Sequence, residues 1–192
     1  MIVAGLGRCG TTIVAEAISN AMIGRIGYHF QNRLDELFPY GLQFPYKTHD
    51  LAPLECPMKA IYLFGDPRDI AVSTHIRLGN GLEKHYKSMR ADHNESLKWV
   101  IKDTLRLTEN FNSWARRHNY EVMMLRYDCI WEFPDSISEF VGKEVVLPER
   151  KQRLTNWRDH PEAFLINRTY GDLAKKIEDF PDCLLTSWLR PV

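Results

Sequence analysis

An apolar run, Met1 to Ala4, breaks into Gly5-Leu-Gly-Arg-Cys-Gly-Thr-Thr12 and then into a helical pattern. Val14, Ile18, Ala21 and Met22 fall on one face of that predicted helix. Strand, glycine turn and helix start form an anion holder. The glycines let backbone N–H groups turn inward, and the first helical turn adds unpaired donors and the positive end of its dipole. Arg8 adds charge, and Thr11 and Thr12 add hydroxyls. The stretch predicts a phosphate site and ties the chain to an α/β fold.

Three motifs overlap in this turn. Gly5-x-Gly7-x-x-Gly10 fits the dinucleotide fingerprint, but Asn32 to Phe38 does not read as the strand end that should carry its acidic residue. Gly5 to Gly10 also has the phosphate-loop spacing, with Thr11 where the lysine should follow. The third match is Arg8-Cys-Gly-Thr-Thr12, which resembles the Lys/Arg-Ser-Gly-Thr-Thr loop of sulfotransferases that use 3′-phosphoadenosine 5′-phosphosulfate (PAPS).

Further segments carry the same resemblance. Lys47-Thr48-His49 ends a predicted short strand from Phe44 and is similar to the Lys-Thr-His segment of cytosolic members. On a strand, Lys47 and His49 share a face. The chemistry wants the pair: a neutral imidazole to take a hydroxyl proton, and an ammonium beside the leaving oxygen. Lys59 to Gly65 is the clearest strand, an almost continuous apolar run of central type. It leads into Asp66-Pro-Arg-Asp-Ile-Ala-Val-Ser73, where Asp66 can cap a helix and Pro67 suits its first position. That segment resembles the family's 3′-phosphate motif, Arg-Asn-Pro-Lys-Asp-Val-Ala-Val-Ser. Gly65 stands where the motif has its phosphate-gripping Arg, and Asp66 where it has Asn. Glycine offers no substitute for a bidentate Arg, so Arg68, Arg77 or a later basic residue must compensate. Arg150-Lys151 followed by Trp157-Arg158 echoes the family's C-terminal Arg-Lys-Gly…Asp-Trp-Lys, with Gln152 in the glycine's place. Ile13 replaces a Trp that stacks on adenine in many cytosolic members.

The resemblance implies a single domain over residues 1–192. It implies an α/β sulfotransferase fold akin to the phosphate-loop NTPases, with a mostly parallel central sheet flanked by helices. It also implies sulfonate transfer from PAPS to a hydroxyl or amine of a small-molecule or glycan acceptor. Adenosine 3′,5′-bisphosphate (PAP) is then the product, and no metal is needed. His49, Lys47 and Arg8 become catalytic. Arg8, Cys9, Gly10, Thr11, Thr12, Arg68, Ser73, Arg150 and Lys151 become donor-binding. Two other readings stay open: a kinase-like nucleotide-binding protein, and a non-catalytic binding protein on the same fold.

Elsewhere the pattern predicts a short helix at Asn32–Phe38 and a mobile loop or frayed helix from Asn80 to Asn94. It predicts a long amphipathic helix from Glu95 to His118, with Leu97, Val100, Ile101, Leu107, Phe111, Trp114 and Ala115 as its stripe and Asp92 with Glu95 as a capping box. Then come a strand over Glu121–Tyr127, helices over Ser136–Val141 and Tyr170–Asp179, and an apolar tail from Phe180. Lys plus Arg equals Asp plus Glu at 25 each, so no global field recruits nucleic acid. The four cysteines lack metal spacing and read as reduced thiols of a cytosol-like compartment. No apolar run approaches the ~20 residues of a membrane span, and Met1 opens the first strand without a leader pattern.

Overall fold

The computed structural model describes residues 1–31, 33–34, 45–152 and 154–186. Its centre is a six-stranded sheet: β1 (Ile2–Gly5), β2 (His29–Gln31), β3 (Tyr46–Thr48), β4 (Ala60–Phe64), β5 (Val122–Arg126) and β6 (Cys183–Thr186). The spatial order is β2-β3-β1-β4-β5-β6. The first five strands run parallel, and β6 pairs antiparallel with β5. Side chains of successive strand residues point to opposite faces. Every residue of β1 and β4 is buried, so both faces of the central sheet are covered. This explains why these two strands read as unbroken apolar runs.

The chain leaves β1 towards β3 through α1 (Thr11–Ile23), and leaves β4 towards β5 through α2 (Pro67–Arg77). The connections part at the carboxyl ends of β1 and β4, where open α/β sheets form their crevice. Asp66 caps α2 as expected, accepting from the Arg68 N–H at 2.9 Å. On α1, Val14 and Ile18 are buried, but Met22 in the last turn is 43% exposed. The segment expected to form a helix at Asn32–Phe38 lies largely outside the described residues. The pattern gave no sign of β2, a three-residue strand at the sheet edge.

One expectation holds in part and one is corrected. Of the two readings of Asn80–Asn94, a mobile loop or a frayed helix, a short helix is what forms: after a 3-10 turn at Gly79–Gly81 comes α3 (Leu82–Ser88), anchored by buried Tyr86 and Met89. Leu82, Tyr86 and Met89 have the i, i+4, i+7 spacing that announces a helix. The long helix at Glu95–His118 does not form. A 3-10 turn at His93–Lys98 is followed by turns, and α4 spans only Leu107–Ala115. Leu97 and Ile101, placed on the apolar stripe by the long-helix reading, are 91% and 63% exposed. Tertiary bonds replace the helical ladder. The Tyr170 hydroxyl donates to the carbonyls of Trp99 and Lys102, and the Thr169 hydroxyl to that of Val100. The Asp103 carboxylate accepts from the N–H groups of Leu107 and Thr108 at 2.9 and 2.8 Å, starting α4 afresh.

Downstream, α5 (Pro134–Val141) is close to expectation, and α6 (Ala163–Glu178) begins a turn or more earlier than expected. The apolar tail contributes β6, a strand of the sheet. Arg68 joins α2 to α6. It bonds Asp66, Asn167 and Glu178, with its guanidinium 4.5 Å from the centroid of the Trp157 ring. Among the described residues, no helix is long and apolar enough to cross a membrane. All four cysteines are free.

Asp103 acts as the cap that separates α4 from the preceding turns. Asp103→Ala should lower unfolding free energy by about 1 kcal/mol, the usual effect of losing a side-chain cap, as read by urea denaturation.

Candidate active site

The residues after β1 build a cradle. Gly7, Arg8 and Gly10 have φ of 79°, 50° and 79°, left-handed values that turn successive N–H groups towards one side. Gly10 also caps α1, with no side chain covering the first-turn N–H groups. The bareness of the loop has a steric cause on each flank. A Cβ on Gly7 would stand 2.5 Å from Cε1 of His85, and one on Gly10 would enter the Tyr127 ring. His85 on α3 and Tyr127 after β5 therefore lie directly against the backbone. Together with Arg8, Thr11, Thr12 and Ile13 they line a cleft of about 350 Å³, which Lys47 and His49 enter from β3.

β3 lies beside β1, with Lys47 in register with Val3, so the strand end delivers Lys47 and His49 next to the loop. Lys47 is buried, and its Nζ stands 5.0 Å from the ring centroids of both Tyr28 and Phe30. This aromatic clamp holds the cation by its quadrupoles. Burial pulls the ammonium pKa below its usual value. The neighbouring Cys9 and Glu16 draw it back up, and Arg8 lowers it further.

Nδ1 of His49 is 3.0 Å from the Gly5 carbonyl. A carbonyl only accepts, so the proton belongs on Nδ1 and the lone pair on Nε2. Burial, then His85 and then Lys47 hold His49 well below the ordinary histidine pKa; the Gly5 bond opposes them weakly. The ring is a neutral base at pH 7. The backbone behind it is fixed from α4: the Asn110 side-chain amide donates to the His49 and Asp50 carbonyls, and Trp114 Nε1 to that of Asp50. Asn110 is itself oriented by the Tyr62 hydroxyl at 2.9 Å. The wholly buried Asp50 carboxylate accepts from the Leu34 N–H and from Arg90.

Of the residues singled out in the sequence, Arg8, Gly10, Thr11, Thr12, Lys47 and His49 meet in this cleft. Ser73 is adjacent, buried beneath Arg8 and accepting from its Nε at 3.2 Å. The Cys9 side chain points away from the cleft: its thiol donates to the Leu63 carbonyl and pins the loop to β4. Arg68, expected to compensate for Gly65, is spent on Asp66 and Glu178. Lys151 is exposed and does not line the cleft. Arg150 stands one ring further out, 5.5 Å from the Trp131 centroid, and Trp131 meets Tyr127 at 5.6 Å.

Sequence reasoning missed His85, Tyr127 as a cleft wall, and the Asp50–Asn110–Trp114 support. The helical spacing around Tyr86 was the available signal for His85. Compared with known proteins, the chain matches no family model and no curated protein.

His85, like His75, has its pKa lowered to about 4, chiefly by burial. The unfolded chain, with histidine near 6.5, binds these protons first. Stability is therefore full above pH 6.5 and falls as pH drops towards 4, where the native state also protonates. His85→Gln should flatten this slope by up to about 1.4 kcal/mol per pH unit, read by denaturation at pH 7, 6 and 5.

Proposed function

We propose that this chain is a PAPS-dependent sulfotransferase on a phosphate-loop-like fold. The observation that carries the reading is convergence: Lys47 and His49 at one strand end, and Arg8 with the α1 N-terminus at the next, line a single cleft. When bound, PAPS supplies an activated sulfonate on its 5′-phosphate. The cradle suits that end. Gly10 starts α1 with no side-chain cap on its first-turn N–H groups, Arg8 and Lys47 line the cleft, and among the described residues no Asp or Glu does.

In this reading the loop amides, Thr11 and Thr12 hold the 5′-phosphate. Arg8 and Lys47 stabilise charge on the bridging oxygen as its bond to sulfur breaks. His49 Nε2 takes the proton of the acceptor hydroxyl or amine as that atom forms its bond to sulfur. Positioning and electrostatics suffice for such an in-line transfer. At the 3′-phosphate end the fit is thinner. Gly65 offers nothing, Arg68 is paired, Arg77 and Lys151 do not line the cleft, and Arg150 stands 4.0 Å from the Asp128 carboxylate, which leaves Ser73 beneath Arg8. This thinness favours a second reading, a non-catalytic protein that binds an anion in the same cradle.

PAP should bind without magnesium and raise stability by about 2.7 kcal/mol at 100 times its Kd. Calorimetry with PAP, and separately with ATP and magnesium, tests this. Binding of ATP–magnesium alone would replace the reading with a kinase-like one.

His49→Ala should lower single-turnover transfer to an accepted phenol or alcohol by ~10²–10⁴-fold and leave PAP affinity within about twofold. Undiminished transfer would remove His49 as the base. PAP binding with no turnover by the unmodified protein would support the non-catalytic reading.

A further inference from the structure

His85 holds a buried ring nitrogen that none of the described residues uses. Its Nε2 is shut off from solvent and has no hydrogen-bond partner among the described residues. An unmet buried polar atom is costly, so each one calls for a reason, and a bound water, ion or ligand is one such reason. The location is specific. Nε2 stands 2.7 Å from the place a Cβ on Gly7 would occupy, so the ring rests on the cradle itself. The His49 ring is 5.1 Å away, centroid to centroid. The charges that act on His85 are those of Arg8 and Lys47, and then of His75. Its surroundings are thus cations and N–H donors, and the species that satisfies all of them is an oxyanion.

Within the cleft lining, Tyr127 stands against Gly10 at the start of α1, whereas His85 rests on Gly7 and beside His49. The inner phosphate of a nucleotide belongs on the helix N-terminus. The tetrahedral group that this phosphate carries then comes to the side of Lys47, His49 and His85. We propose that His85 donates its Nε2–H to an oxygen of this terminal group, sulfonate or phosphate, and so makes the site prefer a loaded donor over its spent nucleotide. The proposal rests on the cradle being a nucleotide site. The identity of the terminal group is left to the test.

Calorimetry on the unmodified protein, His85→Phe and His85→Gln provides it, with two ligand pairs: PAPS against PAP, and ATP against ADP, the latter with magnesium. A hydrogen bond to a charged group corresponds to about tenfold or more in affinity. For the pair that binds, His85→Phe should weaken the loaded member at least about tenfold and the spent member less than about twofold. His85→Gln, which keeps an N–H near the Nε2 position, should recover most of the loss. In the unmodified protein, the loaded member alone should raise the His85 pKa from its value of about 4, as followed by nitrogen NMR; this covers a variant that fails to fold. Equal weakening of both members, or a pKa that ignores the loaded nucleotide, would overturn the proposal. If only the ATP pair shows the pattern, His85 keeps its role and the sulfotransferase reading fails. If neither pair binds, both fail.

Discussion

The bond from His49 Nδ1–H to the Gly5 carbonyl is the constraint on which the site depends. Gly5 ends β1 and opens the loop; His49 follows β3. One hydrogen bond therefore sets the His49 tautomer, the distance between two strand ends and the direction in which Nε2 faces. It is reliable because both partners are held from behind. Asn110 and Trp114 clamp the backbone at 49–50 from α4, and Cys9 ties the loop to β4. Removing such support would shift His49 without touching any residue that lines the cleft.

The break before α4, where Arg106 takes a left-handed φ of 57°, makes that clamp possible. A continuous helix from Glu95 would have put one straight element across this region. Instead Asp103 restarts the helix, and Phe111 and Trp114 turn into the core while Asn110 reaches the chain after β3. The aromatic stack of Tyr62 on Trp114, 5.3 Å apart and nearly parallel, joins α4 to the central strand β4. Core packing and site construction are one set of contacts here.

This also accounts for what the sequence could convey. The cradle, the Lys47–His49 pair and the strands β1, β4 and β5 were legible because each depends on local rules: glycine turns, period-two faces and buried apolar runs. The α4 break was not, since the bonds that replace its ladder come from Tyr170 and Thr169, some seventy residues away. His85 was hidden by polar neighbours on α3, although Leu82, Tyr86 and Met89 marked that helix. Arg68 misled in the opposite sense. A basic residue in a phosphate-like motif looked available, and only the fold brings Glu178 and Asn167 to consume it.

A depressed pKa makes His49 a neutral base but also a weak one, and the cleft's own charges supply the remedy. Burial, His85 and Lys47 all disfavour the imidazolium. An anion seated between Arg8 and Lys47 offsets those cations, and the imidazolium then gains a counter-charge it lacks in the free protein. His49 thus becomes a stronger base when the cradle is filled. A carboxylate in its place would also gain basicity from the anion, but Arg8 and Lys47 would hold it ionised and feebly basic in the free protein, and its own charge would oppose entry of that anion. Imidazole gains basicity on anion binding without adding a negative charge to the cleft. On the proposed reaction, this couples proton removal to the presence of the donor: the acceptor is activated only after something is there to receive its attack.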